Sequence, residues 1–218
     1  IDNVETAPSE RITANDEDRQ RRGFEIQTVF QWPIHNGSPE IRSTTLCGDD
    51  GDLLRLDYGA ATKLSRINKG LRRRKSKSIC GFFIDPNSGR WLRDPENGDD
   101  DEGMGDPTQA KPQRIVPLVE DHKNALLLQP RTTLTVEEMA TFQHAFIRGI
   151  QLVFELEEGE ILGEPLPTRD ARNAILIYEA TEGGAGVLNR LVADPKKVGE
   201  VARECLKLMH YLEPFKAE

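Results

Sequence analysis

The sequence predicts an α/β fold with a mixed, largely antiparallel sheet and two or three packed helices. Short apolar runs separated by turn residues fill the first half of the chain, which is typical of antiparallel strands. Apolar residues at helical spacing occur mostly in the second half. With 218 residues, the chain is also long enough to bury a sizeable core.

The predicted strands of the first half follow one another at short intervals. They are Phe24–Trp32, Ile41–Leu46, Leu53–Tyr58, Thr62–Asn68, Ile79–Ile84 and Arg90–Leu92. The last two flank the sequence DPNSG, in which Pro86 favours a turn and Gly89 suits a left-handed backbone position. This segment therefore predicts a hairpin.

The second half begins with two short predicted strands, RIVPLVE and NALLLQP, and then becomes helical. Thr135 and Glu138 form a capping-box pattern, which predicts a helix from Val136 to about Leu156. Its apolar face comprises Met139, Phe142, Phe146, Ile150 and Phe154. The remaining predicted elements are a strand at Ile161–Leu166, its pairing partner Ala174–Tyr178, and a last helix at Pro195–Tyr211.

Composition predicts one domain with two solvated segments. Residues 1–22 are polar and dense in charge and read as an arm or linker, while residues 23–218 form a single predicted domain. Within it, residues 94–112 predict a flexible acidic loop, since seven carboxylates lie between Asp94 and Asp106.

The net charge of −8 argues against attraction of the whole surface to nucleic acid or to an anionic membrane. No apolar run approaches the ~20 residues of a membrane span, and no signal peptide is recognisable, so we expect a cytoplasmic protein. The cysteines Cys47, Cys80 and Cys205 lie far apart without a CxxC pair. We expect each to be reduced and mostly buried, and we expect no metal site within the chain.

The strongest physical signal is a basic run at 66–77, which holds seven positive charges in twelve residues. They are Arg66, Lys69, Arg72, Arg73, Arg74, Lys75 and Lys77. Such clusters contact phosphates of nucleic acid, although a charge run is also typical of a merely solvated face. Stacking on bases would need aromatic residues beyond the run, namely Phe82, Phe83 or Trp91.

The acidic loop carries as many negative charges as the basic run carries positive ones. One hypothesis is that the loop folds over the basic surface and competes with a polyanion, as an occluding lid. The alternative is two separately solvated loops.

The segment YEATEGGAG follows a buried strand and precedes a helix, a position that suggests phosphate binding. It lacks the lysine and hydroxyl of a P-loop and the third glycine of a dinucleotide fingerprint, and its glutamates would repel an anion. We therefore interpret Glu179, Gly183, Gly184 and Gly186 as a tight structural turn or as an edge on which a partner docks.

No complete catalytic site is recognisable. His144 lies on the long predicted helix without a second ligand at metal-binding spacing. Asp121-His122-Lys123 mimics half of a metal-nuclease motif, but the second acidic ligand is not identified.

Several segments together resemble one family. They are RITANDEDRQRRGFEIQTVFQWP, INKGLRRR with GFFIDPNSGRW, the helix with FQHAF, and YEATEGGAGVLNRL. In this order they resemble the MrfA-type zinc-binding (MZB) C-terminal domain, a domain of unknown function in DEAD/DEAH-box superfamily 2 helicases. The pairing of RRGFE with GFFIDPNSGRW resembles in particular the helicase subunit of the DISARM anti-phage system.

The resemblance implies a parent protein with two upstream RecA-like lobes that use ATP and Mg²⁺ to move on DNA. It also implies a four-cysteine zinc cluster near the end of such a domain, for which Cys205 is the only cysteine nearby. The zinc assignment is therefore not carried over to this chain, and a zinc cluster would have to lie downstream of Glu218.

We therefore expect a non-catalytic accessory domain of an ATP-dependent DNA helicase or translocase in anti-phage defence. Its expected partners are the DNA backbone and either the helicase lobes or a second defence subunit. The alternatives are a protein-interaction scaffold whose basic run meets an acidic partner surface, and a metal-dependent nuclease.

Overall fold

The computed structural model describes residues 23–49, 51–92, 111–181 and 183–211. The predicted arm at 1–22 and nearly all of the predicted acidic loop at 94–112 lie outside the described residues, and with them the lid hypothesis. The chain divides into two compact units. Unit 1 comprises Ile1–Val29 and Ser65–Val119, and unit 2 comprises Phe30–Leu64 and Glu120–Glu218. Among the described helices, none combines the length and the apolar character that crossing a membrane requires.

The described residues form strands over most of the first half. They are β1 (Phe24–Gln31), β2 (Ile34–His35), β3 (Ser38–Pro39), β4 (Arg42–Gly48), β5 (Gly51–Leu71), β6 (Phe82–Ile84), β7 (Trp91–Leu92), β8 (Gln113–Ile115), β9 (Leu118–Pro130), β10 (Ile161–Leu166) and β11 (Ala174–Glu179). The largest sheet has the order β1-β5-β9-β11-β10, with β4 paired to β5. The pairings of β4 with β5, β9 with β11 and β10 with β11 are antiparallel. The predicted fold class, a largely antiparallel sheet with helices, is confirmed.

The described helices are α1 (Val136–Val153), α2 (Val187–Ala193) and α3 (Pro195–Leu208). The predicted capping box of α1 is present, because Thr135 accepts from the Glu138 amide and Glu138 accepts from the Thr135 amide. Pro195 lies in the first turn of α3, and Asp194 caps that helix.

The core of unit 2 surrounds β11, the strand that the sequence predicts as buried on both faces. Every residue of β11 is buried. Ile175 and Ile177 pack with the helices on one face, whereas Leu176 and Tyr178 pack with Leu64 and Ala125 on the other. The alternation of side chains along a strand thus divides one apolar run between two layers.

In unit 1, strand β6 pairs with β7 on one side and with β8 on the other, both antiparallel. The predicted DPNSG hairpin is confirmed as the turn between β6 and β7. Asp85 accepts hydrogen bonds from the Asn87 amide and the Ser88 hydroxyl, and Gly89 has a φ of 70°.

The predicted break between Leu53–Tyr58 and Thr62–Asn68 is wrong, because both segments belong to the single strand β5. Gly59 lies at the expected break, where it makes room for the ring of Trp32. A Cβ at Gly59 would lie 2.5 Å from Cε3 of that ring. The glycine therefore serves packing rather than chain reversal.

The strand predictions around residue 120 also need correction. The segment DHK does not separate two strands but lies inside β9. The first predicted strand is itself divided, with β8 ending at Ile115 and β9 beginning at Leu118. The predicted helix ends are shortened too. α1 ends at Val153 before Glu155 at φ 54°, and α3 ends at Leu208 before His210 at φ 59°.

The cysteines differ in burial. Cys205 is buried and Cys80 is half-buried, as expected, but Cys47 is exposed near the end of β4, which corrects the expectation for that residue.

Candidate nucleic-acid interface

The basic run begins at the end of a strand and continues into a turn. Arg66 and Lys69 belong to β5, which ends at Leu71. The other five cations occupy residues 72–77, which we call the basic turn. All seven lie in unit 1.

Glu25 of β1 pairs with two of these cations. Its carboxylate lies 3.1 Å from Nζ of Lys69 and 2.6 Å from Nη1 of Arg74. Partial burial raises the pKa of Glu25, but the hydrogen bonds and charges of Arg74 and Lys69 outweigh burial, and the pKa lies below its ordinary value. Glu25 is therefore ionised at neutral pH and holds the strand end and the turn together.

Arg74 closes the basic turn from inside. Only 6% of its side chain is exposed. Its guanidinium donates to the carboxylate of Glu25 and to the carbonyl oxygens of Leu71 and Lys77, at 2.6, 2.9 and 3.1 Å. A planar group with several fixed donors suits this task, and a lysine could not reach all three acceptors in the same way.

Arg72 and Lys77 are exposed but tied to the backbone. Nε of Arg72 donates to the carbonyl of Phe24 at 3.0 Å, and Nζ of Lys77 donates to the carbonyl of Arg72. Because this bond uses only Nε, it leaves the two terminal amino groups of Arg72 able to donate to other acceptors.

Arg73 and Lys75 are the outward-facing members of the turn. Both are exposed, and neither side chain forms a hydrogen bond or ion pair with another described residue. The sequence presents seven equivalent charges, whereas the folded turn divides them into cations that shape the turn and cations that project from it.

Aromatic side chains adjoin the basic turn. The rings of Phe24 and Phe82 lie 5.9 Å apart, and those of Phe82 and Trp91 lie 5.5 Å apart, both edge to face. Phe82 and Trp91 are aromatic residues that the sequence offers as stacking candidates. Phe24 and its neighbour Glu25 were missed as parts of the site, because only strand pairing in the fold brings them to residues some 50 positions later.

The glycine-rich turn after β11 contains a carboxylate at the position where a phosphate would bind. Glu179, which is 1% exposed, accepts from the amides of Gly186 and Leu188 at 3.2 and 3.1 Å. These are the free amides at the start of α2, and Gly186 offers no side chain to cap them. The chain thus supplies its own anion to the helix start.

Asn124 of β9 completes this arrangement. Its amide nitrogen donates to Glu179 at 3.0 Å and to the carbonyl of Gly183 at 2.9 Å. A Cβ at Gly184, which has a φ of 57°, would overlap the Glu179 carboxylate. Gly184 therefore supplies both a left-handed backbone position and the space that the carboxylate occupies.

The remaining catalytic candidates are not brought together. Lys123 forms an ion pair with Asp121 at 3.0 Å and donates to the carbonyl of Ala180 at 2.6 Å. His122 and His144 are exposed. Across the described residues, no group of three His, Cys, Asp or Glu side chains is arranged to hold a metal ion.

Cys205 does not fit a zinc ligand in this arrangement. Its Sγ donates to the carbonyl of Ala145 at 3.1 Å, which requires a protonated thiol. Burial raises the pKa of Cys205 above its ordinary value, whereas zinc binds the thiolate. The described residues therefore offer no zinc site.

Comparison with known proteins gives one family model that matches part of the chain. Residues 142–211 match the family model of the MrfA Zn-binding domain, MZB. One similar solved structure is the crystal structure of the DUF1998 helicase MrfA bound to DNA, with a TM-score of 0.45 and 11% identity over 89% of this chain. This chain spans 22% of the length of that helicase chain. The comparison with curated proteins gives no match.

Proposed function

We propose, from the MrfA Zn-binding domain recognised at residues 142–211, that this chain is an accessory part of an ATP-dependent DNA helicase or translocase. In this proposal the chain hydrolyses nothing itself. It holds the DNA backbone for motor lobes carried by the parent protein and contacts those lobes or a second subunit. The parent works in the cytoplasm in anti-phage defence, as the resemblance to the DISARM helicase subunit implies.

The observation that carries the proposal is the pair Arg73 and Lys75. Both cations project from a turn that Arg74 and Glu25 hold in place. Because the turn is already ordered, contact with phosphates costs little further backbone entropy. The overall negative charge makes this local positive surface the natural point of contact for a polyanion.

The proposed interface uses all seven predicted cations in three roles. Direct phosphate contact is assigned to the exposed cations Arg72, Arg73, Lys75 and Lys77. Arg74 and Lys69 are positioning residues that act through Glu25, and Arg66 adds positive charge along β5. The turn of Glu179, Gly183, Gly184 and Gly186 lies in unit 2 and serves as structural support.

Such contacts bind phosphate and carry no sequence information. The affinity is therefore expected to depend on salt and to be nearly equal for different base sequences. This behaviour fits an accessory surface of a motor that must move along any DNA it meets.

The test is the double variant R73A/K75A in the full 218-residue chain. Binding to fluorescent DNA is measured over a series of salt concentrations. Each lost phosphate contact should lower the slope of log affinity against log salt by about 0.7 to 0.9, so we expect a reduction of about 1.5 for the two. The loss should be the same for unrelated DNA sequences.

The matched control is K196A/R203A, which removes the same charge from the exposed surface of α3 in unit 2. Circular dichroism checks that both variants are folded. If the two double variants bind DNA equally well, the proposal is wrong. It is also wrong if the unsubstituted chain shows no salt-dependent binding of DNA at all. The second result would favour a scaffold whose basic turn meets an acidic protein.

A further inference from the structure

We infer that the hairpin of β6 and β7 is a stacking platform for an unpaired base, with Trp91 as the contact residue. The ligand class is single-stranded nucleic acid, whose phosphates lie along the basic turn. This inference rests on the proposed function and adds that the nucleic acid bound by this surface is single-stranded.

Trp91 is the most exposed large aromatic residue in the strands of unit 1. Its side chain is 64% exposed, although it belongs to a strand. Its ring packs edge to face against Phe82, at a centroid distance of 5.5 Å. The indole thus has a neighbour on one side while most of its surface remains open to a partner, as a base-stacking residue requires.

Contacts of unit 1 join this ring to the cations. Phe82 packs on Phe24, and the carbonyl of Phe24 accepts from Nε of Arg72. On the other side of the turn, the amide of Gly81 donates to the carbonyl of Lys69 at 2.9 Å. The aromatic hairpin and the basic turn are therefore neighbours with a shared framework.

The missing side chain of Gly70 permits this close approach. A Cβ at Gly70 would lie 2.9 Å from the carbonyl oxygen of Gly81. Gly70 has a φ of 106°, which other residues rarely adopt. A larger residue at position 70 would push Gly81 and the hairpin away from the end of β5. Gly81, at φ 98°, makes room for β8 instead, since its Cβ would overlap the carbonyl oxygen of Ile115.

Hydrogen bonds tie the turn of the hairpin. Its turn is closed by the Gly89 amide on the carbonyl of Asp85 at 2.8 Å and by the Asp85 amide on the carbonyl of Arg90 at 2.9 Å. The Asp85 carboxylate adds bonds from the Asn87 amide and the Ser88 hydroxyl. Stacking on Trp91 would therefore order little of the protein.

Single strands are favoured over duplex because the faces of paired bases are already stacked on their neighbours. An exposed ring beside several cations suits a single strand, because its unpaired bases can stack on the ring while its phosphates contact the cations. An acidic peptide would satisfy the cations, but it would not need a flat ring.

The test compares W91A, W91F and L92A in the full chain. Leu92 is the exposed neighbour of Trp91 on β7 and controls for general damage to the hairpin. The probes are a fluorescent oligothymidylate and a duplex of equal length. W91A should weaken single-strand binding by about 5- to 100-fold and duplex binding by less than about twofold. W91F should keep most of the affinity, and L92A nearly all of it.

Tryptophan fluorescence gives a second readout. Oligothymidylate should quench the tryptophan fluorescence of the unsubstituted chain. The variant W91F, in which Trp32 is the remaining tryptophan, should lose this quenching. If W91A leaves single-strand binding unchanged, or weakens both probes equally, the stacking inference is wrong.

The failure of this inference can be distinguished from failure of the proposed function. If R73A/K75A weakens binding while W91A does not, the phosphate contact stands and the platform is refuted. If neither variant weakens binding, both are refuted.

Discussion

At the scale of single residues, Glu179 explains why a turn that looks like a phosphate cradle is not one. The free amides at the start of α2 attract an anion, and the buried Glu179 carboxylate already fills that place. The glutamates of the turn correctly argue against anion binding. Repulsion is not the main reason, because the Glu179 carboxylate already occupies the position that an anion would take.

The glycines of this turn predict a measurable difference. G183A adds only the strain of a left-handed alanine, about 1 kcal/mol, because nothing lies within 4 Å of its Cβ. G184A adds the same strain and also displaces the Glu179 carboxylate from the start of α2. We expect G184A to lower the free energy of unfolding by about 2 kcal/mol more than G183A.

Denaturant unfolding of G183A and G184A measures this difference. In an E179A background the two glycine substitutions should destabilise the chain equally, since the displaced carboxylate is then absent. The control for E179A is E158A, which removes an exposed glutamate. If G183A and G184A destabilise the otherwise unsubstituted chain equally, Glu179 does not cap α2.

At the scale of elements, helix α1 packs on α3 at a glycine. A Cβ at Gly149 would lie 2.7 Å from Sγ of Cys205 and 2.9 Å from the carbonyl oxygen of Val201. The carbonyl oxygen of Val201 cannot move without shifting the backbone of α3, and Sγ of Cys205 has little room to rotate because Cys205 is buried on that helix. The close approach explains why a residue with poor helix propensity lies inside α1.

Gly149→Ala should therefore lower the free energy of unfolding by about 1 to 3 kcal/mol through overpacking. Gly199 is the matched control, because it lies inside α3 with nothing within 4 Å of its Cβ. Gly199→Ala should instead stabilise the chain by up to about 1 kcal/mol, as alanine favours helix. Thermal unfolding measures both, and a stabilising Gly149→Ala would contradict the packing described here.

The elements also indicate which sequence signals can be trusted. The capping box of α1, the DPNSG hairpin and the pairing of β10 with β11 depend on residues close in the chain, and all three are confirmed. The predicted break in β5 is wrong, because a glycine between two strand-like runs is also typical of a turn. The actual reason for Gly59 is Trp32, a residue 27 positions earlier whose approach no local pattern announces.

At the scale of the whole molecule, the proposed nucleic-acid surface lies in unit 1, while residues 142–211 of the MZB match lie in unit 2. Amide hydrogen exchange can test this division. Adding oligothymidylate should slow exchange within residues 66–92, because the bound strand covers the basic turn and the hairpin. Exchange within residues 174–192 should be unchanged, because Glu179 and its turn make no ligand contact.

The variant R73A/K75A is the control for this measurement and should remove the slowing at residues 66–92. Slowing confined to residues 174–192 would instead place the ligand at the glycine-rich turn and contradict the assignment.

The sequence by itself determined the fold class, the helix starts, the hairpin and the position of the basic run, because these depend on local propensity and charge. It also determined the resemblance to the MZB domain, because the matching segments keep their order along the chain. Only the tertiary structure decided which cations project and which shape the turn, because Glu25 reaches Lys69 and Arg74 through the fold. It also decided that Glu179 caps α2, since that contact requires β11, α2 and Asn124 of β9 to meet. Long-range contacts of this kind fix the role of a side chain, and no window of the sequence contains them.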